Sequence, residues 1–103
     1  MESETLLARQ AVLGNRGAFE ELVRRTARSV YVRVYMEVGK KEDAEDLVQE
    51  TYLRAFRSLK QVSKPEGFRP WLYAIARSSV VDWQRARLRR KRWGFKRQDP
   101  EVL

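Results

Sequence analysis

The residues of this chain that could do chemistry begin with a cluster of charged groups in its first half. Four acidic side chains and one lysine fall within six positions: Lys41, Glu42, Asp43, Glu45 and Asp46. Paired carboxylates can act in general acid–base catalysis, which needs a cleft and a partner such as a histidine or a nucleophile. The chain has no histidine and no cysteine, so the commonest proton shuttle, thiolate chemistry and the commonest transition-metal ligand are missing. We therefore expect no enzymatic activity, no metal site and no cofactor.

The second chemically distinctive stretch is a basic block near the C-terminus. Residues 85–97 hold eight basic side chains and no acidic one, in a chain of 103 residues whose net charge is +8. Such a block is typical of proteins that bind a polyanion, with nucleic acid as the first candidate and an anionic membrane surface as the second. A solvated tail that keeps the protein soluble is the remaining interpretation.

The bulk properties indicate one small cytoplasmic domain. Hydrophobic residues make up 43% of the chain and charged residues 35%, a balance that suits a folded helical protein. No apolar run approaches the roughly 20 residues that cross a bilayer. The acidic N-terminus, with Glu2 and Glu4, lacks the basic start and apolar middle of a signal peptide. We expect no membrane partner.

The apolar periodicity predicts four helices and no strands. Ser3 is a candidate N-cap for the first helix, and Gly14 and Gly39 should end the first and second. The predicted fold is all-α, a compact bundle of about four helices whose last member extends as a basic arm. The helices should span about residues 4–13, 18–38, 43–59 and 68–92, with a polar loop at 60–67.

The fourth helix should have two different faces. One face is apolar and should be buried, and it gathers Phe68, Leu72, Ile75, Ala76, Ser79, Trp83 and Ala86. The opposite face mixes basic and small residues, so another surface could approach the backbone closely. Its members are Ala74, Arg77, Ser78, Val81 and Arg85. Of the aromatic residues, Trp83 and Trp71 favour core packing, while Tyr73 lies off the core face and is the better candidate for stacking on a base.

The third helix has two interpretations from its residues alone. Acids near a helix N-terminus are favoured by the macrodipole, by roughly 0.3–1 kcal/mol each. Asp46 and Glu50 form a like-charge pair four residues apart, and Arg54 can offset the repulsion. The line of Asp46, Gln49, Glu50 and Arg54 is therefore either a stabilised solvent face or a docking face for another protein.

Two segments resemble a known family. The string from Asp43 to Ala55, DAEDLVQETYLRA, resembles the second conserved stretch of extracytoplasmic-function sigma factors, the helix that docks on the β′ clamp coiled coil of RNA polymerase. The string from Phe68 to Arg77, FRPWLYAIAR, resembles that family's promoter-melting stretch. Asp82 and Arg85 fall where the family has its −10 recognition helix. The resemblance covers roughly residues 15–92, and Ser78 stands where the family often has asparagine.

The resemblance implies two sets of site residues. The polymerase-binding set is Asp46, Leu47, Gln49, Glu50, Leu53 and Arg54. In the loop of residues 60–67, which would capture a flipped base of the −10 element, Lys60 and Lys64 suit phosphates, and Gln61 and Ser63 suit a base edge. In the fourth helix, the implied phosphate contacts are Arg69, Arg77, Arg85 and Arg89, and the implied base contacts are Tyr73, Ser78 and Gln84.

The expected function is therefore that of a sigma factor domain that binds core RNA polymerase and recognises and melts the −10 element. Residues 1–92 would form this domain and residues 93–103 the start of a linker, with the family's −35-binding domain absent. Expected partners are core polymerase and the non-template strand, with an anti-sigma factor as a further candidate, and the chain should be a monomer outside the polymerase. The alternatives are a helical module that binds nucleic acid without sequence preference, through the basic arm, and a membrane-surface protein, although residues 85–92 lack a clear apolar side.

Overall fold

Four α-helices and two 3₁₀ turns form the chain in the computed structural model, which describes the backbone of residues 2–101 and the side chains of residues 2–93. The described residues contain no strand, and the predicted all-α fold is confirmed. The helices are α1 (Glu4–Val12), α2 (Arg16–Val38), α3 (Lys41–Arg57) and α4 (Phe68–Glu101), and the 3₁₀ turns between α3 and α4 are Leu59–Gln61 and Pro65–Gly67.

Side-chain caps and two glycines with positive φ, Gly14 after α1 and Gly39 after α2, set the ends of the first two helices, as predicted for both glycines. The Ser3 hydroxyl accepts a hydrogen bond from the Leu6 amide at 3.1 Å, as predicted. Asn15 caps α2 by accepting from the Ala18 amide at 3.0 Å, so α2 begins two residues earlier than the apolar pattern indicated. Gly39 ends α2 at φ 70°, a left-handed conformation that glycine adopts without a steric penalty.

The core lies where the apolar stripes of the four helices meet. Two buried threonines on these stripes, Thr26 and Thr51, donate to the carbonyl four residues earlier at 2.7 Å, which satisfies their hydroxyls. Thr26 also shares a 2.7 Å hydrogen bond with the Tyr52 hydroxyl and so joins α2 to α3. The main apolar residues of the core are Leu7, Ala8, Leu22, Val30, Val34, Ala44, Leu47, Ala55, Phe68, Leu72 and Ala76.

The observed end of α4 differs from the predicted one. The sequence predicts an end near Arg92, but α4 continues to Glu101. The prediction relied on two helix-weakening residues: Gly94, which costs about 1 kcal/mol relative to alanine, and Pro100, which lies one residue before the observed end of α4. The surrounding arginines and lysines are good helix formers, and the helix passes through the glycine. The division into a domain of residues 1–92 and a linker stays a prediction.

Two properties of the described residues bear on partners. None of the helices among them is both long enough and apolar enough to cross a bilayer. The same residues contain no group of acidic side chains placed to hold a metal ion.

Candidate nucleic-acid and protein interfaces

The outer face of α3 presents most of the predicted docking residues. Asp46 and Gln49 are exposed, and Leu53 leaves half of its surface, 50%, in contact with solvent. Leu47 does not join them. It is only 5% exposed because it lies on the same side of the helix as the buried Ala44. The prediction that Leu47 contacts a partner is therefore wrong, and this side chain anchors α3 in the core instead.

Arg54 joins α3 to α4. Its Nε donates to Glu50 Oε2 at 2.9 Å, and its Nη1 donates to Asp82 Oδ2 at 2.8 Å. The pair with Glu50 confirms that Arg54 offsets the crowding of acids on this helix. The hydrogen bonds to Glu50 and then Asp82 raise the pKa of Arg54 above its ordinary value. The contact with Asp82, 28 residues away, gave no signal in the helical pattern.

The face of α4 that points away from the core is arranged as predicted. Ala74, Arg77, Ser78 and Arg85 are exposed, and Val81 is half-buried. The Arg77 side chain is 76% exposed and reaches only a long ion pair of 3.8 Å with Glu37 of α2. Small side chains beside free cationic groups leave this face open to a phosphate backbone.

Tyr73 is fixed by three neighbours. Its hydroxyl shares a 2.7 Å hydrogen bond with Ser29 and accepts another from Arg69 at 3.0 Å, and the Arg33 guanidinium lies 3.7 Å from the ring centroid. Burial alone would raise the pKa of Tyr73, but the hydrogen bonds with Ser29 and Arg69 outweigh it and the pKa is lowered. Tyr73 is half-buried and packs against the core, so the prediction that it lies off the core face is wrong. A base that stacked on the ring face under Arg33 would have to displace that guanidinium.

The Arg69 guanidinium forms hydrogen bonds with other residues of the chain. Its Nε donates to Glu4 Oε1 of α1 at 2.7 Å, and its Nη1 donates to the Tyr73 hydroxyl. The hydrogen bond with Glu4, followed by that with Tyr73, raises the pKa of Arg69. The residue predicted to contact a phosphate is thus already paired with a carboxylate, and the sequence pattern did not predict Glu4 as its partner.

The loop before α4 is anchored at its middle. Leu59 and Val62 are buried in the core, and Pro65–Gly67 forms a 3₁₀ turn. The four side chains predicted to meet DNA are all exposed around these anchors: Lys60, Gln61, Ser63 and Lys64. The backbone is therefore held in place while the polar groups stay available.

A groove of about 540 Å³ runs between α2 and α4. Three residues that the sequence assigned to DNA contact line it: Tyr73, Arg77 and Gln84. Its opposite wall includes Val32 and Met36, which are exposed and were not predicted as site residues. Val32 and Met36 lie four residues apart and off the buried stripe of α2, and this spacing could have predicted that they form an exposed apolar surface.

The basic end of α4 is exposed through the last residue whose side chain the structure describes. Every side chain from Arg87 to Trp93 is exposed, as are Gln84 and Arg85. The Arg87 guanidinium lies 5.4 Å from the centre of the Trp83 ring. Trp83 and Trp71 are half-buried and pack against the core, which confirms the prediction made for both.

The chain is similar to proteins of one family. The Sigma-70 region 2 model matches residues 14–94. The ECF RNA polymerase sigma factor SigE of Mycolicibacterium smegmatis is 43% identical over 70 residues, which cover 68% of this chain and 27% of that relative. SigC of Mycobacterium tuberculosis is 40% identical over 83 residues, which cover 79% and 43%. The chain thus spans less than half the length of these curated relatives.

The fold is also similar to that of a solved structure. The NMR structure of the complex formed by an engineered region 2 of sigmaE with GTAAAA superposes with a TM-score of 0.80 at 30% sequence identity. The match covers 86% of this chain and 93% of that one.

Proposed function

Because this chain belongs to the sigma-70 region 2 family, we propose that it acts in transcription initiation as the polymerase-binding and −10-binding domain of an extracytoplasmic-function sigma factor. It holds the promoter open by binding one strand and catalyses no reaction itself. The observation that carries the proposal is the likeness to a region 2 in complex with GTAAAA over 86% of this chain. Its place of work is the cytoplasm, where the polymerase and the promoter are found.

The polymerase partner binds the outer face of α3 in this proposal. Asp46, Gln49 and Leu53 are exposed there, and Glu50 is half-buried beside them. An exposed leucine among acidic and amide groups fits a partner surface that offers both basic side chains and an apolar contact. The β′ clamp helices of core RNA polymerase are the partner implied by the family, and the chain is a monomer until it meets them.

The non-template strand of the −10 element binds the loop and the outward face of α4. Lys60 and Lys64 contact phosphates around a captured base, and Gln61 and Ser63 touch its edge. Along α4, Arg77, Arg85 and Arg89 contact the backbone, while Ser78 and Gln84 reach bases. An anti-sigma factor that keeps the protein inactive would cover these same two surfaces.

A second candidate function is binding of nucleic acid without sequence preference. The exposed basic residues from Arg85 to Arg92 favour it, because phosphate contacts alone supply non-specific affinity. In that case the α3 face would have no partner.

Two measurements separate these functions. We expect the chain to capture purified core RNA polymerase, and to enrich a common short sequence from a randomised pool of single-stranded DNA. The enriched strand should bind more tightly than its complement and than the duplex. A pool that stays random, together with no polymerase capture, contradicts the sigma proposal and supports the non-specific module.

A further inference from the structure

Asp82 is an unusual residue for a helix that binds DNA. It is the only acidic residue between Phe68 and Gln98, a stretch with ten basic residues. Its side chain is 52% exposed. On the helix surface it neighbours Ser78, four residues before it, and Arg85, three residues after it. An uncovered carboxylate at this position would repel the phosphates that the rest of the helix attracts.

Arg54 is the group that covers this carboxylate. It reaches from α3 and donates to Asp82 Oδ2 through Nη1 at 2.8 Å, while its Nε donates to Glu50 Oε2 at 2.9 Å. The Arg54 side chain is 32% exposed, so it is partly held between the two helices. One guanidinium thus serves two carboxylates, and the three side chains together carry a net charge of −1.

We propose that Arg54 is a positioning residue that masks the charge of Asp82, and so makes the outward face of α4 able to accept a phosphate backbone. The inference rests on the proposed function, since it assigns a cause for DNA binding by α4. It also links the two interfaces. A basic group of a partner that binds Glu50 relieves Arg54 of its second carboxylate, and Arg54 then pairs with Asp82 alone. Binding at α3 therefore favours DNA binding at α4, and the reverse holds by linkage.

The test is a double-mutant cycle read on single-stranded DNA. Arg54→Met should weaken binding of a labelled dT oligonucleotide about three- to tenfold, because it removes a cation and exposes a carboxylate. Asp82→Asn should leave the affinity unchanged or raise it. Arg54→Met combined with Asp82→Asn should return the affinity to within about twofold of wild type. Arg57→Met is the charge control, because it removes an exposed cation of the same helix that has no carboxylate partner among the described side chains.

The link between the interfaces is tested by Glu50→Gln. This change removes the carboxylate that competes for Arg54, so DNA binding should tighten about twofold. Glu45→Gln, an equal change of charge on an exposed residue of the same helix, should have less effect. Equal gains in the two variants contradict the link.

Each outcome of the cycle decides one question. If the double variant binds as weakly as Arg54→Met, or if Arg57→Met matches Arg54→Met, the masking role is wrong. A loss on Asp82→Asn alone means that Asp82 contacts a base, which also contradicts masking. Thermal melting of each variant shows whether Arg54→Met acts by unfolding, which Asp82→Asn would not reverse. Equal wild-type affinity for the dT strand and for the strand enriched from the randomised pool counts against the proposed function but leaves the masking result standing.

Discussion

Arg69 donates a hydrogen bond to Glu4 with Nε and Oε1 2.7 Å apart, so the first turn of α4 is tied to the first turn of α1. These residues are 65 positions apart in the chain. The same guanidinium holds the Tyr73 hydroxyl, which in turn meets Ser29 of α2. Three helices are thus joined beside the loop that we propose binds DNA.

Releasing Arg69 from Glu4 should strengthen DNA binding. In Glu4→Gln the guanidinium loses its carboxylate partner and becomes available to a phosphate, so affinity for single-stranded DNA should rise severalfold. The loss of stability should be within about 1 kcal/mol, because both side chains are partly exposed. Fluorescence anisotropy and thermal melting measure the two effects. Glu2→Gln changes the charge equally at an exposed residue, and an equal gain there would show that only net charge matters.

The docking face should be separable from the DNA face. Asp46→Lys combined with Leu53→Ala should abolish capture of core RNA polymerase while leaving helicity unchanged, since exposed substitutions usually alter stability by within about 0.5 kcal/mol. Glu50 is left intact because it holds Arg54. The matched control is Glu20→Lys with Leu13→Ala, two exposed residues outside α3. Full capture by the first variant in a polymerase pull-down would show that the partner binds elsewhere.

The loop should supply the preference for one DNA strand. Replacing Lys60, Gln61, Ser63 and Lys64 by glycine or serine, with the buried Val62 retained, should equalise affinity for the selected strand and its complement. Flipping a base from a duplex costs a few kcal/mol, much of which a single strand avoids. Affinity due to charge should fall only modestly.

The control for the loop variant is Lys40→Ser with Lys41→Ser. It removes the same number of cations from exposed positions outside the loop. A strand preference that survives the loop replacement, or that disappears equally in this control, would contradict base capture by the loop.

The basic end of α4 should determine how strongly salt weakens binding. Changing residues 89–92 to serine should flatten the dependence of log affinity on log salt by about 0.7 for each phosphate of a single strand that the variant no longer neutralises. The decrease in affinity should be similar for every sequence. A control with the same reduction of charge changes four exposed residues outside α4: Arg9, Arg28, Lys40 and Lys41. Equal slopes for the two variants would mean that residues 89–92 do not touch the phosphates.

Tyr73 should ionise at a lower pH than Tyr52. Burial is the main cause that raises the pKa of Tyr52, whereas the pKa of Tyr73 is lowered. Because folding raises the pKa of Tyr52, its neutral side chain contributes to folding stability at pH values below the pKa that Tyr52 has in the unfolded chain. That contribution is lost as the pH rises through the pKa of Tyr52 in the folded state. Alkaline titration by ultraviolet absorbance, with Tyr52→Phe and Tyr73→Phe to assign the steps, measures the order. The reverse order would contradict the hydrogen-bond arrangement around Tyr73.

The helical pattern predicted what depends on neighbours within one or two turns. It placed most of the buried stripes, the Ser3 cap and the glycine end of α2 correctly, because each depends on residues within about four positions. It left the buried Val80 out of the stripe of α4 and put Tyr73 off the core. It also put Leu47 on the apolar side of α3. Family resemblance instead suggested that Leu47 contacts a partner, and the structure agrees with the helical phase.

The ion pairs between helices could not be predicted in this way. Glu4 with Arg69 and Arg54 with Asp82 join positions 65 and 28 residues apart, and a periodic pattern within one helix carries no information about its neighbour. For the same reason, the helical pattern did not predict that α2 forms one wall of the groove. The end of α4 was missed for a different reason, since Gly94 weakens the helix without stopping it and Pro100 lies in its last turn, one residue before Glu101.

The exposed basic end of α4 has a consequence for kinetics. Its side chains from Arg87 to Arg92 lie beyond Val80, the last buried residue among the described side chains of the helix. A cationic segment of this kind attracts a polyanion over about a Debye length, before any base is touched. Encounter should therefore be fast and sensitive to ionic strength, whereas the lifetime of the complex depends on the loop and the outward face of α4. The helix that we propose binds the promoter strand would thus also carry the residues that set how often protein and DNA meet.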